Sequence, residues 1–305
     1  MVVLDNESSH RMIWKRLRLT LEMIKFEHSV FALPFALTGA LLAFRESGYN
    51  GRQIQSKLLL IVVAMVAARS AAMAFNRLVD ADIDARNPRT RMRHLAAGLL
   101  GRGFTWVFVA CASALFIAAA AALNLLCLRL APAALATVFF YSFTKRFTGF
   151  SHLVLGFCLG IAPAAAWIAV RGSLDPRILW LTAAVTFWTA GFDVIYSCQD
   201  YDFDRAEGLA SIPRAVGIAP ALRVAQLLHV LMVVCLLALV RILHLGALAL
   251  AGVAAVVALL VYEHSLVKPY DLSRVNAAFF TMNGYVSVLF FLFWAADIFL
   301  LKPGA

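Results

Sequence analysis

Long apolar runs recur along this chain, and they constrain its fold more than any other feature. Runs such as Leu58–Ala68 and Leu245–Val261 contain no charged residue. The 305 residues are 63% hydrophobic and only 14% charged, whereas soluble domains are about 45–50% apolar and about 25% charged. This composition excludes a disordered chain and a conventional soluble enzyme. Only helices and closed barrels can span a lipid bilayer. Barrel strands are short segments in which apolar and polar residues alternate, unlike the long apolar runs here. We therefore predict an all-α, polytopic membrane protein.

Nine segments come close to the length of about 20 apolar residues that crosses a bilayer as a helix. These predicted spans are residues 28–45, 57–76, 104–122, 126–143, 152–170, 178–198, 221–241, 245–264 and 277–300. No soluble domain, long linker or low-complexity segment separates them. We therefore expect residues 1–305 to form a single membrane domain with nine transmembrane helices.

Positively charged residues predict the orientation of the spans, because cytoplasmic loops are enriched in Lys and Arg. With a cytoplasmic N-terminus, 18 of the 27 Lys and Arg residues fall on inside segments and 8 on outside segments. The remaining one, Arg69, lies within the second span. We expect a cytoplasmic N-terminus and an outside C-terminus. The net charge of +10 then reflects topology, and we expect no nucleic-acid partner.

Cysteine and histidine give no sign of a disulfide framework or of a zinc or haem site. The five cysteines lie far apart in or beside apolar runs, without a CxxC pair. The seven histidines form no HxxxH pair. We interpret the cysteines as packing residues.

Acidic residues cluster at the end of the second predicted span. Asn76, Asp80 and Asp84 are spaced by four residues, so a helix would place all three on one face. Like charges at this spacing repel each other, and a divalent cation removes that penalty. Mg²⁺ is commonly held by one or two carboxylates together with waters and substrate phosphates. This stripe is therefore a candidate metal site.

A second acidic cluster follows the sixth predicted span. Tyr196, Asp200 and Asp204 repeat the spacing of four, and Asp193 lies seven residues before Asp200. Both clusters come after an even-numbered span, so we expect them on the same, cytoplasmic side. Two such stripes could clamp two cations on one diphosphate.

Other charged residues near the stripes have more than one interpretation. Arg89 and Arg93 belong to a basic run, Arg86–Arg93, that could neutralise phosphate oxygens. Arg91 and Arg93 could equally be topology charges. Asp82 and Asp202 lie off the stripes, and we interpret them as solvated or as supporting the metal ligands from outside.

These spacings resemble the motifs of the UbiA-type superfamily of intramembrane aromatic prenyltransferases. The family's NxxxDxxxD motif with a trailing TxxR matches the first cluster, and its YxxxDxxxD motif matches the second. The segment that closes the fourth span, Tyr141–Arg146, resembles the family's YxxxKR element. Two positions depart from the common pattern, since Arg77 follows the motif asparagine and His94 follows the last motif arginine. The resemblance covers nearly the whole chain and implies nine helices around a central cavity.

The resemblance also implies roles for the matched residues. Mg²⁺ would be held, directly or through water, by Asn76, Asp80, Asp84, Asp200 and Asp204. Lys145 would bind diphosphate oxygens, while Arg146 would bind either the diphosphate or the carboxylate of an aromatic acceptor. Tyr141 and Tyr196 could stabilise an allylic cation through their ring faces, hydrogen-bond the diphosphate, or anchor the protein at the interface.

Arg69, Asn276 and Asn283 are polar residues in or beside predicted spans. A charge within the bilayer is costly and usually functional, so Arg69 could face the acceptor or the diphosphate, or pair with Asp193 or Glu22. Asp193 is expected to bind substrate. Asn276 and Asn283 open the last span and could line the cavity or pack in the core.

We therefore predict transfer of a polyprenyl group from its diphosphate to a ring carbon of a 4-hydroxybenzoate-like acid in quinone biosynthesis. The expected setting is the cell (inner) membrane, with the site on the cytoplasmic side. The main alternative is prenylation of a dihydroxynaphthoate in a menaquinone route. A remoter one is a transporter, although transporters place charges near the midplane. The expected partners are both substrates and the lipid bilayer, and no protein partner can be inferred.

Overall fold

The computed structural model describes residue 14, residues 18–24 and residues 29–300. Among these, eleven α-helices follow the short opening segments. They are α1 (Ser29–Arg45), α2 (Gly51–Arg86), α3 (Arg102–Leu123), α4 (Leu125–Thr144), α5 (Ser151–Arg171), α6 (Leu179–Ser197), α7 (Tyr201–Glu207), α8 (Ile212–Val216), α9 (Ile218–Ile242), α10 (Ala247–Leu266) and α11 (Asn283–Leu300). The first residue of the first predicted span, His28, lies outside the described residues, as do most of the basic residues before it.

The all-helical membrane architecture is confirmed, but the count of nine spans is not. Eight helices of the described chain are long and apolar enough to cross a bilayer. The first predicted span corresponds to α1, which has only 17 residues. The described part of α1 covers about 25 Å at 1.5 Å per residue, and residues 25–28 directly before it lie outside the described part of the chain.

Small residues bring α1, α5 and α6 into close contact. A Cβ atom on Gly39 of α1 would lie 2.5 Å from the Pro163 carbonyl oxygen of α5. A Cβ atom on Gly156 of α5 would lie 2.2 Å from the Thr186 carbonyl oxygen of α6. Helix pairs in membranes pack closely where such small residues meet. These contacts make α5 the centre of a three-helix unit that backs the site described below.

Helix α2 extends well beyond the predicted span 57–76. It begins with a capping box, in which Asn50 accepts a hydrogen bond from the Gln53 backbone and the Gln53 side chain accepts one from Asn50. Its 36 residues correspond to about 54 Å of helix, more than a bilayer core requires. The helix therefore carries Asp80 and Asp84 on its last turns, as their spacing predicts.

The second acidic cluster does not lie on one continuous α-helix. Helix α6 ends at Ser197, a 3-10 turn spans Cys198–Asp200, and α7 begins at Tyr201. The tighter turn changes the rotation per residue. Tyr196, Asp200 and Asp204 nevertheless line the same cavity.

A π-helical turn, Ala277–Met282, precedes α11 and depends on Asn283. The Asn283 amide nitrogen donates to the Ala278 and Phe279 carbonyls, at 3.2 and 3.0 Å, and to Glu263 Oε1 at 3.3 Å. Both Asn283 and Glu263 are fully buried. Of the two alternatives for Asn283, the structure shows packing in the core and not lining of the cavity, because its side chain holds the π-helical turn against α10.

We expect Asn283→Leu to destabilise the folded protein by about 1–3 kcal/mol, because it leaves a buried carboxyl and two carbonyls without their donor. The double variant Glu263→Leu/Asn283→Leu should recover part of this loss, since replacing both polar partners by apolar groups removes the unpaired carboxyl. Thermal unfolding in detergent measures both effects. An Asn283→Leu variant as stable as the wild-type protein would contradict this account. A double variant less stable than Asn283→Leu would contradict it too.

Candidate active site

A single large cavity runs through the bundle from one face towards the other. Its volume is about 1190 Å³, above the roughly 300–1,000 Å³ of pockets that hold a small ligand. We call the end of the bundle where α2, α4 and α6 finish the motif end. The cavity is polar there, and its other arm is apolar and is lined by residues such as Ile61, Leu123, Leu174 and Leu179.

Thirteen of the fifteen residues singled out in the sequence line this cavity. Along α2 and the loop after it these are Arg69, Asn76, Asp80, Asp84, Arg89 and Arg93; elsewhere they are Tyr141, Lys145, Asp193, Tyr196, Asp200, Asp204 and Asn276. The two off-stripe carboxylates behave as expected. Asp82 is exposed and paired with Arg102, and Asp202 is also exposed.

Asp80 is the most buried carboxylate of the first motif. It is held by Lys145 Nζ at 2.7 Å and by the Asn76 amide at 3.0 Å, both on Oδ2. The other oxygen, Oδ1, is buried and accepts no hydrogen bond. Helix α4 supplies Lys145 at its C-terminal end, so two helices meet at this carboxylate.

The loop after α2 neutralises the next two carboxylates. Arg93 binds Asp84 through both carboxylate oxygens, at 2.8 and 2.9 Å. Arg89 forms a two-pronged ion pair with Asp200 of the second motif, with Nε donating to Oδ1 at 2.9 Å. Asn87 donates to the same Oδ1 at 3.0 Å. Burial acts against the charge of Arg89, but its hydrogen bonds to Asp200 outweigh this and raise the pKa of the guanidinium.

These contacts bring the two acidic motifs together. Asn87 and Arg89 follow α2 directly, and both bind Asp200 at the end of α6. A further ion pair joins Arg86 of α2 to Glu207 of α7 at 2.9 Å. The two motifs therefore close one end of one cavity, which is the arrangement the paired spacings predict.

An aromatic wall lies beside the second motif. Tyr196 packs against Phe279 of the π-helical turn, with ring centroids 4.2 Å apart. Arg89 donates to the Tyr196 hydroxyl at 2.9 Å, and its guanidinium lies 5.1 Å from the ring centroid. Phe279 and Phe280 also line the cavity. This wall connects the charged end of the cavity to its apolar surroundings.

Arg146 does not line the cavity, which corrects its predicted contact with substrate. Its guanidinium donates to the Val79 carbonyl at 2.8 Å and lies 3.5 Å from Asp80 Oδ1. It also packs over the Phe143 ring. The adjacent Lys145 lines the cavity, whereas Arg146 contacts the site through Asp80 and the Val79 carbonyl.

His152, Asn87 and Arg77 line the cavity but were not singled out in the sequence. His152 Nδ1 lies 2.7 Å from Asp193 Oδ2, and its Nε2 accepts the Ile212 backbone N–H at 3.3 Å. His152 opens the fifth predicted span, and a polar residue at that point is the one signal that could have indicated it. Asn87 directly follows the first motif, which is a comparable signal.

The donor set fits magnesium bound through waters and phosphate. In the part of the chain that is described, no three acidic, histidine or cysteine side chains form a ready-made metal cluster, because basic side chains hold Asp80, Asp84 and Asp200. Five oxygen-bearing residues nevertheless line one end of one cavity. The buried Asp80 Oδ1 without a donor is a vacant acceptor of the kind a hard cation requires. One or two carboxylates with substrate phosphates are the usual protein contribution to such a site.

Comparisons with known proteins point to one family. The model of the UbiA prenyltransferase family matches residues 32–299. A 4-hydroxybenzoate octaprenyltransferase of Chromohalobacter salexigens is 29% identical over 222 residues, which are 73% of this chain and 74% of that protein.

Solved structures agree with this result. The apo structure of a UbiA homologue from Aeropyrum pernix K1 has a TM-score of 0.80 and 35% identity, over 89% of this chain and 98% of that one. A UbiA homologue from Archaeoglobus fulgidus, solved with DMAPP and Mg²⁺, has a TM-score of 0.69 and 20% identity, over 92% and 99% of the two chains. The chain described here is an integral, multi-pass membrane protein that belongs to the UbiA prenyltransferase family.

Proposed function

We propose that this protein transfers a polyprenyl group from a polyprenyl diphosphate to a ring carbon of 4-hydroxybenzoate, with Mg²⁺, as a step of quinone biosynthesis. The observation that carries the proposal is one cavity in which a strongly charged end continues into a long apolar arm. A polyprenyl diphosphate is divided in the same way, into a charged diphosphate head and an apolar hydrocarbon tail. The Chromohalobacter relative, a 4-hydroxybenzoate octaprenyltransferase, supports the choice of acceptor.

The apolar arm suits the tail of the donor. Each CH₂ group buried in an apolar environment contributes about 0.8 kcal/mol, so a long prenyl chain strongly prefers this arm and the surrounding lipid to water. The arm is lined by aliphatic residues of α2, α3, α4 and α5. It continues to the opposite side of the bundle, which leaves room for a long chain.

The basic side chains at the motif end suit the diphosphate. Lys145, Arg89 and Arg93 each hold a carboxylate by short contacts. Bound Mg²⁺ would draw charge from the leaving diphosphate and satisfy the carboxylates that these cations now pair with. The three cations would then turn towards phosphate oxygens, which Arg can bind through two parallel hydrogen bonds. The Archaeoglobus homologue, solved with Mg²⁺ and DMAPP, supports the use of this metal together with a prenyl diphosphate.

The acceptor would bind deeper in the cavity. Arg69 lies seven residues before Asn76 on α2, which is about 10 Å further from the motif end. Its guanidinium suits the carboxylate of an aromatic acid. The rings of Tyr141, Tyr196 and Phe279 would face the allylic cation and stabilise it by cation–π attraction. They would also keep away water, which would otherwise capture the cation.

The site is proposed to face the cytoplasm from the inner membrane. The Lys and Arg distribution supports this orientation. We expect that a membrane-impermeant maleimide labels Ala206→Cys, exposed at the motif end, in inside-out vesicles, and Ser173→Cys, exposed at the other end, in right-side-out vesicles. Wild-type protein with its five cysteines supplies the background. The reverse labelling pattern would refute the orientation.

The activity is tested with purified protein, MgCl₂, geranyl, farnesyl and octaprenyl diphosphates, and two acceptors, 4-hydroxybenzoate and 1,4-dihydroxy-2-naphthoate. We expect a prenylated 4-hydroxybenzoate and one diphosphate per product, identified by mass spectrometry, and none after chelation with EDTA. If product forms only with 1,4-dihydroxy-2-naphthoate, that acid replaces 4-hydroxybenzoate as the acceptor in the proposal. Absence of diphosphate release with every pair would refute the enzymatic proposal.

Asp80→Asn and Asp200→Asn test the carboxylates. Each should reduce turnover by at least about 10²-fold, the scale of losing a charged group that stabilises a transition state, and should raise the Mg²⁺ concentration needed for half-maximal rate. Asp82→Asn and Asp202→Asn are matched controls two residues away, on exposed side chains, and should keep the wild-type rate. Near-normal turnover of Asp80→Asn or Asp200→Asn would contradict the assignment.

A further inference from the structure

We propose that Asp193 accepts the proton that leaves the aromatic ring during prenyl transfer, and that His152 is the positioning residue that prepares it for this step. The inference rests on the proposed function, since it concerns the second half of the same reaction. It is carried by the hydrogen bonds of His152 and by the place of Asp193 in the cavity.

The hydrogen bonds of His152 define which of its nitrogens carries the proton. Nε2 accepts the backbone N–H of Ile212 at 3.3 Å, so it has no proton of its own. The proton of a neutral imidazole must then lie on Nδ1, which is 2.7 Å from Asp193 Oδ2. The His152 side chain is 4% exposed, so the ring is fixed in place. It therefore donates to Asp193 and cannot itself act as a base.

Asp193 keeps one carboxylate oxygen available to the cavity. His152 donates only to Oδ2, and no described residue donates to Oδ1. The side chain is 17% exposed and lines the cavity. Three other cavity-lining carboxylates, those of Asp80, Asp84 and Asp200, are instead bound by Lys145, Arg93 and Arg89. Asp204 lies four residues beyond Asp200, at the motif end, and hydrogen-bonds with Ser211. Asp193 therefore combines an oxygen that is open to the cavity with a position deeper than these carboxylates.

Asp193 also lies at the depth of the acceptor. It precedes Asp200 by seven residues on α6 and the following turn, which places it about 10 Å from the diphosphate end. Arg69 on α2 lies deeper still, eleven residues before Asp80, whereas Asp193 lies seven residues before Asp200. The two positions differ in depth by about 6 Å along the helices, and both line the cavity. The cavity thus offers a cation for the acceptor carboxylate and, between it and the motif end, an anion for the ring proton.

Prenyl transfer to an aromatic ring requires a proton acceptor of this kind. The allylic C–O bond breaks, and its electron pair leaves with the diphosphate. A new bond then forms between the allylic carbon and the ring carbon ortho to the hydroxyl group. That ring carbon still carries its hydrogen. The proton passes to Asp193 Oδ1, and the electron pair of the C–H bond returns to the ring, which becomes aromatic again. The proton leaves for water when the product departs, so the carboxylate is regenerated without an oxidant or reductant.

The test compares 4-hydroxybenzoate with the same acid deuterated at both ring carbons ortho to the hydroxyl group. Both acids are assayed under single-turnover conditions. In wild type, ionisation of the donor should limit the rate, so both acids should react equally fast. Asp193→Asn should slow product formation by about 10²–10⁴-fold, the usual contribution of a general base. The deuterated acid should then react clearly more slowly, because C–H cleavage has become limiting.

Variants of His152 separate positioning from structure. His152→Leu removes the donor and should also produce the isotope effect, with a smaller loss of rate. His152→Asn places an amide N–H where Nδ1 was and should restore part of the rate and reduce the isotope effect. Thr189→Val is the matched control, since it is isosteric, buried and lines the same cavity, and it should show no isotope effect.

Three results would overturn the inference. Asp193→Asn could retain the wild-type rate. It could lose rate with no isotope effect while binding the donor more weakly, which would make Asp193 a donor-binding or structural residue. His152→Leu could lose rate with no isotope effect, which would make His152 structural only. Wild-type protein that forms no product with any donor and acceptor refutes the proposed function itself, and is distinguished by the assay above.

Discussion

The pairing of buried carboxylates with cations is the interaction on which the motif end depends. A carboxylate taken out of water is costly unless a cation and further hydrogen bonds compensate it. Asp80, Asp84 and Asp200 each meet that condition through a different residue, namely Lys145, Arg93 and Arg89. Since these cations come from α4 and from the loop after α2, the same contacts that neutralise the site also fix the loop and join the two acidic motifs. Removing one partner would leave an uncompensated charge in an apolar bundle and disturb the others.

The helical architecture and most of the site could be predicted from the sequence, because both follow from local rules. Apolar runs of bilayer length predict helices, and a spacing of four residues places Asn76, Asp80 and Asp84 on one face whatever surrounds them. The meeting of the two motifs could also be expected, because an even number of crossings separates them. The resemblance to a known family added roles to residues whose positions the spacing already indicated.

The features that could not be predicted from the sequence all depend on tertiary packing. Spacing shows that Lys145 and Arg146 point in different directions, but only the packing of α4 against α2 decides which of them faces the cavity. Asn283 carries no local sign that it would hold a π-helical turn together with Glu263. His152 was missed for the same reason, since its role comes from Asp193, which lies 41 residues away.

The division of the cavity into layers explains why one protein can hold both substrates without mixing their chemistry. The diphosphate layer is rich in charge, and cations occupy the carboxylates of Asp80, Asp84 and Asp200 there. The layer about 10 Å deeper has fewer charges and contains a carboxylate that His152 orients. The apolar arm beyond it would hold a chain that water would reject. An ionisation that needs strong positive charge and a proton transfer that needs a free base can therefore occur within one cavity, because α2 and α6 present each at a different depth.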